Sequence, residues 1–386
     1  MDGVPGVSFP GIKPRSKFVY EFPVVQSGTY WYHSHSGLQE QLGHYGPIVI
    51  DPAGADPIGY DREHVVVLSD HSQLSPEAIF RKLKVNPGHF NMQRQTLAGL
   101  LAGRDQPLKE RIDWGKMRMD PTDVADVNGS TYTFLVNGHG PRDNWTALFS
   151  PGERVRLRIV NASAMTIFNV RIPGLRMTVV QADGLNVVPT EIDEFQIAVA
   201  ETYDVIVTPV EDRAYTLVAE ANDRSGMGRA TLAPRAGMVA EVPPLRERPL
   251  ATMKDMGMGD MSGGSMAGMD HSGGDMGAMP MPASDPSCPP EHAKMGHCTP
   301  AGDGGAMAGM DHGSGGGMQH SMRDFSVAPQ VKRDPSVQTI SPMPMDRMGE
   351  PGQGLEDVGH KVLTYHDLVA LERNPDTRAA SRSLDI

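Results

Sequence analysis

Over "KFVYEFPV" (17–24) apolar and polar positions alternate, placing Phe18, Tyr20, Phe22 and Val24 on one face. That period of two predicts a half-buried strand. "GTYWYHSH" (28–35) and "GPIVIDP" (46–52) add two more short strand-like runs, and "HVVVLSD" (64–70) reads as a buried strand. The pattern then turns helical. Ser75 is placed to cap a helix, Pro76 fits its first position, Ala78, Ile79 and Leu83 supply an apolar stripe, and Pro87 with Gly88 closes it. Residues 90–102 resume a helix-like spacing.

From about 126 to 234 the pattern is again all-β. "TYTFLVNG", "RVRLRIVNAS", "FNVRIPG", "MTVVQADG", "FQIAVAETYDVIVTP" and "AYTLVAEA" are short apolar runs punctuated by Gly, Pro, Asn and Asp. Such spacing predicts a sandwich or barrel. Residues 1–52 read as the second half of a similar domain, 53–125 as a connector with a strand and helices, and 126–236 as a complete β domain. Residues 237–355 form a polar linker, and 356–386 begin a further element.

Composition sharpens this division. The chain has 386 residues, yet only 39% are hydrophobic and 6% aromatic, and no Phe, Trp or Tyr lies between Tyr215 and Phe325. That quarter of the chain can build little core. The net charge of −12 argues against a nucleic-acid partner, which would need a basic footprint. No apolar run is long enough to span a membrane, and the first residues lack the basic start and apolar centre of a secretory signal.

Two patterns carry chemistry. In "GTYWYHSHSG" the strand period places His33 and His35 on one face and Ser34 on the other. Two imidazoles one repeat apart can hold one metal or one member each of a metal pair, though a bare H-x-H equally describes two ordinary histidines at a strand end. The second pattern is the stretch from Met253 to Met322, with fourteen methionines, five histidines and seventeen glycines. Its candidate ligands are Met253, Met256, Met258, Met261, Met266, Met269, His271, Met276, Met279, Met281, His292, Met295, His297, Met307, Met310, His312, Met318, His320 and Met322. These methionines have no other large apolar residues to pack on, so a core role fails. Thioether is a soft ligand that favours Cu(I), and imidazole binds either oxidation state, so copper is the metal indicated. Cys288 and Cys298 bracket His292, Met295 and His297, a spacing that suits a soft-metal site or a disulfide-closed loop. Asp183 and Glu201 read as turn and strand-entry residues.

These motifs converge on a resemblance. "MDGVPGVSFPGIKP", followed by "YEFPVVQSGTYWYHSHSGLQEQLGHYGPIVIDP", resembles the end of the first cupredoxin domain of multicopper oxidases. "NGHGPRDNWTALFSPGERVRLRIVNASAMTIFNVRIPGLRMTVVQADG" with "DEFQIAVAETYDVIVTP" is similar to their second cupredoxin domain. The Met/His tract resembles the copper-resistance protein A branch. The resemblance implies cupredoxin-like (plastocyanin-like) Greek-key sandwiches with a disordered Met-rich insertion, and a periplasmic location. It implies copper as cofactor, with O₂ and a small reductant, Cu(I) or a phenol, as reaction partners. His33 and His35 match the second of the family's four His-x-His motifs, the one that binds type 3 copper. By the same resemblance the chain is expected to start inside the first domain and stop at the threshold of a third, showing one ligand pair of four. A non-catalytic copper-sequestering protein is the alternative.

Overall fold

The computed structural model describes residues 6–252, 254–255 and 346–373. The chain divides into two compact units. The larger comprises Met1–Leu108, Met119–Gly259 and Pro344–Ser383, and the described part of the other is Lys109–Arg118.

Strands β1 (Gly28–His33) and β2 (Tyr45–Ile50) form an antiparallel hairpin in which His33 faces Tyr45. Strand β3 (Arg62–Ser72) leads into helices α1 (Pro76–Val85), α2 (Leu97–Leu101) and α3 (Leu108–Lys116). Five strands follow, β4 (Tyr132–Val136), β5 (Thr146–Leu148), β6 (Val155–Asn161), β7 (Phe168–Arg171) and β8 (Met177–Ala182). Five more are β9 (Leu185–Ile192), β10 (Glu194–Ile197), β11 (Thr202–Val207), β12 (Tyr215–Ala221) and β13 (Met227–Ala233).

Strands β3 to β13 build one sandwich. A six-stranded sheet has the order β4-β3-β6-β11-β8-β9 and a five-stranded sheet the order β10-β7-β12-β13-β5. Pairing is antiparallel except at β3–β6 and β5–β13. Between the sheets lies one core, to which Leu157, Ile159 and Val205 contribute from the first sheet and Phe168, Val170 and Leu217 from the second. Neighbouring strands are mostly not consecutive in sequence, as the cupredoxin-like sandwich requires.

Several expectations are corrected. "KFVYEFPV" forms no strand. Phe18, Tyr20, Phe22 and Val24 are exposed, and no described strand pairs with them; alternation supplies a face, but a strand needs a hydrogen-bonding neighbour. The strand placed in the connector, β3, lies inside the six-stranded sheet between β4 and β6, which explains its unbroken Val65–Leu68 run. Within 90–102 only the five residues of α2 are helical. Helix α1 does start as expected, the Ser75 hydroxyl accepting from the Ala78 amide at 3.2 Å.

The segment 346–373, part of which was expected to open a further domain, lies along the sandwich edge. Leu363 donates to the Glu194 carbonyl at 3.0 Å and Val188 to that of Val369 at 2.8 Å. His360 Nε2 sits 2.7 Å from the fully buried Glu194, whose carboxylate also receives both terminal nitrogens of Arg246. The tract ligands from Met253 to Met322, with Cys288 and Cys298, lie outside the described residues. Among the described residues no helix is long and apolar enough to cross a membrane.

Candidate metal centre

The histidine pair sits at the tip of the β1–β2 hairpin, so its position depends on how that hairpin is seated. At Gly28 φ is +145° and an added Cβ would fall 2.5 Å from the Gly184 carbonyl oxygen, so only glycine lets the two backbones meet. The next residue, buried Thr29, is bonded at every polar atom. Its amide donates to Gln181 Oε1 at 2.9 Å, its carbonyl accepts from Thr202 Oγ1 at 3.0 Å, and its hydroxyl accepts from Arg158 Nη1 at 3.0 Å.

Arg158 belongs to a buried charge network in the six-stranded sheet. Arg156 and Arg158 both reach Asp204, at 2.6 and 3.0 Å, while Arg156 also holds Asp56 and Arg158 holds Glu63, each at 2.8 Å. Two cations flank one buried anion, and two outer carboxylates complete their hydrogen bonding, the condition under which buried charge is tolerated. Burial works against the Arg158 charge, yet Asp204 and Glu63 hold its pKa above the ordinary arginine value.

From this anchor the two-residue period carries three side chains toward the tip. The Trp31 and His33 rings stack with centroids 4.1 Å apart and planes 16° apart. The His33 and His35 rings follow at 4.5 Å. Strand β1 ends at His33, so His35 lies one step past the last strand pair, yet the Ser34 amide still donates to the His44 carbonyl at 3.2 Å. Ser34 itself serves the turn: its hydroxyl accepts from the Ser36 amide at 3.1 Å and donates to Gln39 Oε1 at 2.7 Å.

The loop after the pair is fastened to the sandwich. Gln41 donates to the Asp70 carbonyl and carboxylate at 3.3 Å, and Tyr132 donates its hydroxyl to Gln41 Oε1 at 2.6 Å. Asp70, buried, also accepts from the amides of Ala164, Met165 and Thr166 and from the Thr166 hydroxyl. Burial pushes the phenols of Tyr45 and Tyr132 upward, with Asp70 adding to both, and Tyr132 stays a neutral hydrogen-bond donor.

Two imidazoles this close can share one metal ion or serve two adjacent ones, and the site offers the nitrogen ligands that copper takes. One nitrogen of the pair is left unbonded. His33 Nδ1 is buried and makes no hydrogen bond. Glu40 Oε2 lies 3.5 Å away, within ion-pair range but not aligned as a bond. No group of three or more His, Cys, Asp or Glu suited to a metal occurs among the described residues. Trp31 and Glu40 are the functional neighbours that residue spacing did not single out. Trp31 was within reach, two positions before His33 on one strand face, whereas Glu40 arrives through a loop with no periodic signature. Asp183 and Glu201 are structural as expected: Asp183, at φ +46°, accepts from the Thr202 amide at 2.9 Å, and Glu201 accepts from the Ala198 amide at 2.6 Å.

Two multicopper oxidase family models match residues 1–55 and 105–237. Copper resistance protein A of Escherichia coli is 48% identical over 393 aligned residues, spanning all of this chain and 64% of that protein. Its counterpart in Pseudomonas syringae pv. tomato is 49% identical over 394, again with 64% of that protein covered. The multicopper oxidase MmcO of Mycobacterium tuberculosis is 35% identical over 229 residues, 58% of this chain and 42% of that one.

Proposed function

This chain belongs to the multicopper oxidase family, whose members bind copper, and from that premise we propose that His33 and His35 are a type 3 copper ligand pair in a copper-resistance oxidase. The observation that carries the reading is the pair itself, two imidazoles 4.5 Å apart at the tip of a hairpin anchored through Gly28, Thr29 and Arg158. Copper bound there, with the remaining ligand pairs of the family, supplies the electron transfer by which Cu(I) or a phenol is oxidised and O₂ is reduced to water. The chain's own residues do the positioning. The stack on Trp31 fixes the plane of His33, Ser34 and Gln39 shape the turn that presents His35, and Gln41 ties the loop to Asp70. The domains that follow from this reading are the end of a first cupredoxin domain at 1–52, a second at 126–236 joined by β3, and the start of a third at 356–386. A periplasmic location goes with it.

The test is a chimera in which this chain replaces the matching stretch of the Escherichia coli relative. Oxidase turnover with Cu(I) should appear, vanish in His33→Ala and His35→Ala, and fall much less in Ser34→Ala, which loosens the turn but removes no imidazole. Turnover that survives loss of either histidine would sink the reading. The alternative, a sequestering protein acting through the Met/His tract, is favoured by the fourteen methionines of that tract. It requires copper tolerance without O₂ consumption in the same chimera.

A further inference from the structure

We propose that Glu40 is a positioning residue for His33, holding the ring proton on Nδ1 and so reserving Nε2 for the metal. The proposal rests on the reading of His33 as a copper ligand. Three observations lead to it.

First, Nδ1 is the buried nitrogen of His33 that makes no hydrogen bond, and the group facing it is the Glu40 carboxylate at 3.5 Å. A neutral imidazole carries one proton. Placed on Nε2, it would leave the Nδ1 lone pair pointed at an anion, two acceptors facing each other. Placed on Nδ1, it turns the same contact into a charge-assisted donor–acceptor pair. A few tenths of an ångström separate 3.5 Å from an ordinary N–H to O distance, a shift a glutamate side chain can make.

Second, the ring has little other freedom. Trp31 stacks on it nearly parallel, at 4.1 Å and 16°, so the plane is fixed and only the placement of the proton remains open.

Third, Glu40 is not on a free loop. Its carbonyl accepts from the Gly43 amide at 2.9 Å, the neighbouring Gln39 carbonyl accepts from the His44 amide at 3.1 Å, and the next residue, Gln41, is bonded to Asp70 and Tyr132. The carboxylate is therefore delivered to one side of the imidazole by a fixed turn. A histidine that binds metal through one nitrogen commonly donates its other N–H to a carboxylate, which orients the ring and raises its basicity.

The experiment reads the tautomer directly, on the metal-free chain labelled with ¹⁵N-histidine, at a pH where imidazole is neutral. Long-range ¹H–¹⁵N spectra should show His33 as Nδ1–H in the wild type. In Glu40→Leu the tautomer ratio should move toward Nε2–H by about tenfold, the scale of one charge-assisted hydrogen bond. Glu40→Gln, which keeps the shape and an acceptor oxygen, should fall between them and guards against a loop that fails to form in the leucine variant. A wild-type His33 in the Nε2–H form, or a ratio indifferent to both substitutions, overturns the proposal. A separate arm adds substoichiometric Cu(II) and follows paramagnetic loss of the His33 and His35 ring signals. If those signals persist, the ligand reading of His33 fails, whereas the tautomer result stands or falls on its own spectra.

Discussion

The Arg158 guanidinium donates to the Thr29 hydroxyl at 3.0 Å across 129 residues of sequence, joining the histidine hairpin to the buried charge network of the sandwich. The same Nη1 sits 3.0 Å from Asp204, and Nε holds Glu63 at 2.8 Å. One side chain thus couples the seat of the histidine hairpin to the interior.

Arg158→Met should therefore cost stability and loosen the tip. With both partners buried, losing one side of the pair is worth about 2–4 kcal/mol, toward the low end because Arg156 still compensates Asp204. Urea denaturation reads the loss, and amide exchange over Tyr30–His33 should accelerate along with it. Unchanged exchange at the hairpin would show that Thr29 is held without Arg158.

Gly28→Ala puts a methyl group against the Gly184 carbonyl, at 2.5 Å, and neither backbone can yield cheaply. We expect a destabilisation of about 2 kcal/mol, measured by the denaturation midpoint. A variant as stable as the parent would mean that β1 can move away from β8 and β9 without penalty.

Trp31→Ala removes the ring that stacks on His33. Groups that orient a metal ligand typically account for about tenfold or more in affinity, so Cu(II) binding at the pair should weaken by roughly that factor. Trp31→Phe should keep most of it. Competition against a chelator, with His33→Ala as the baseline, makes the measurement. Equal affinity in Trp31→Ala and wild type would rule out a role for the stack.

Acid stability should carry the signature of Glu153. Its hydrogen bond from Arg62, with help from the Ser150 amide, lowers its pKa from 4.5 to about 2. The folded value lies below the unfolded one, so the contribution is fully present above pH 4.5 and is lost as pH falls toward 2. Glu153→Gln should flatten the stability profile in that window and leave the neutral range nearly parallel to wild type. Identical acid slopes would remove Glu153 from the account.

The Met253–Met322 tract should separate the two oxidation states of copper. Replacing its methionines with leucine is expected to abolish most Cu(I) binding, while Cu(II) binding follows the five histidines and is released below about pH 6.5. Full Cu(I) affinity in the leucine set would leave the tract as a linker only.

Much of this was legible along the chain. Strands β4, β6, β7, β8, β10, β11 and β12 fall inside runs that read as strands, and Ser75 and Pro76 open a helix where local capping chemistry places it. What could not be read depends on partners remote in sequence. Phe18, Tyr20, Phe22 and Val24 alternate correctly and still lie outside any strand, because pairing is not a property of one segment. Arg156 and Arg158, charged positions in a strand-like run, are fully buried, since Asp204, Asp56 and Glu63 reach them from three other places in the chain. In the site, the period of two was enough to bring His33 and His35 together. Glu40 was beyond it, because a turn closed by Gly43 decides where its carboxylate points.

The contact between Gly28 and Gly184 has an evolutionary consequence. Where the hairpin meets the sandwich, Gly28 lies against the Gly184 main chain and Gly184 lies against the Tyr30 ring, so the tolerance of that junction is written in two missing side chains. Thr29 and Trp31 are tied to their partners, so in β1 it is an exposed position such as Tyr32 that can drift in size and polarity while the imidazoles stay at the same height above the sheet. At that junction the position of the histidine pair is vulnerable to a single methyl group.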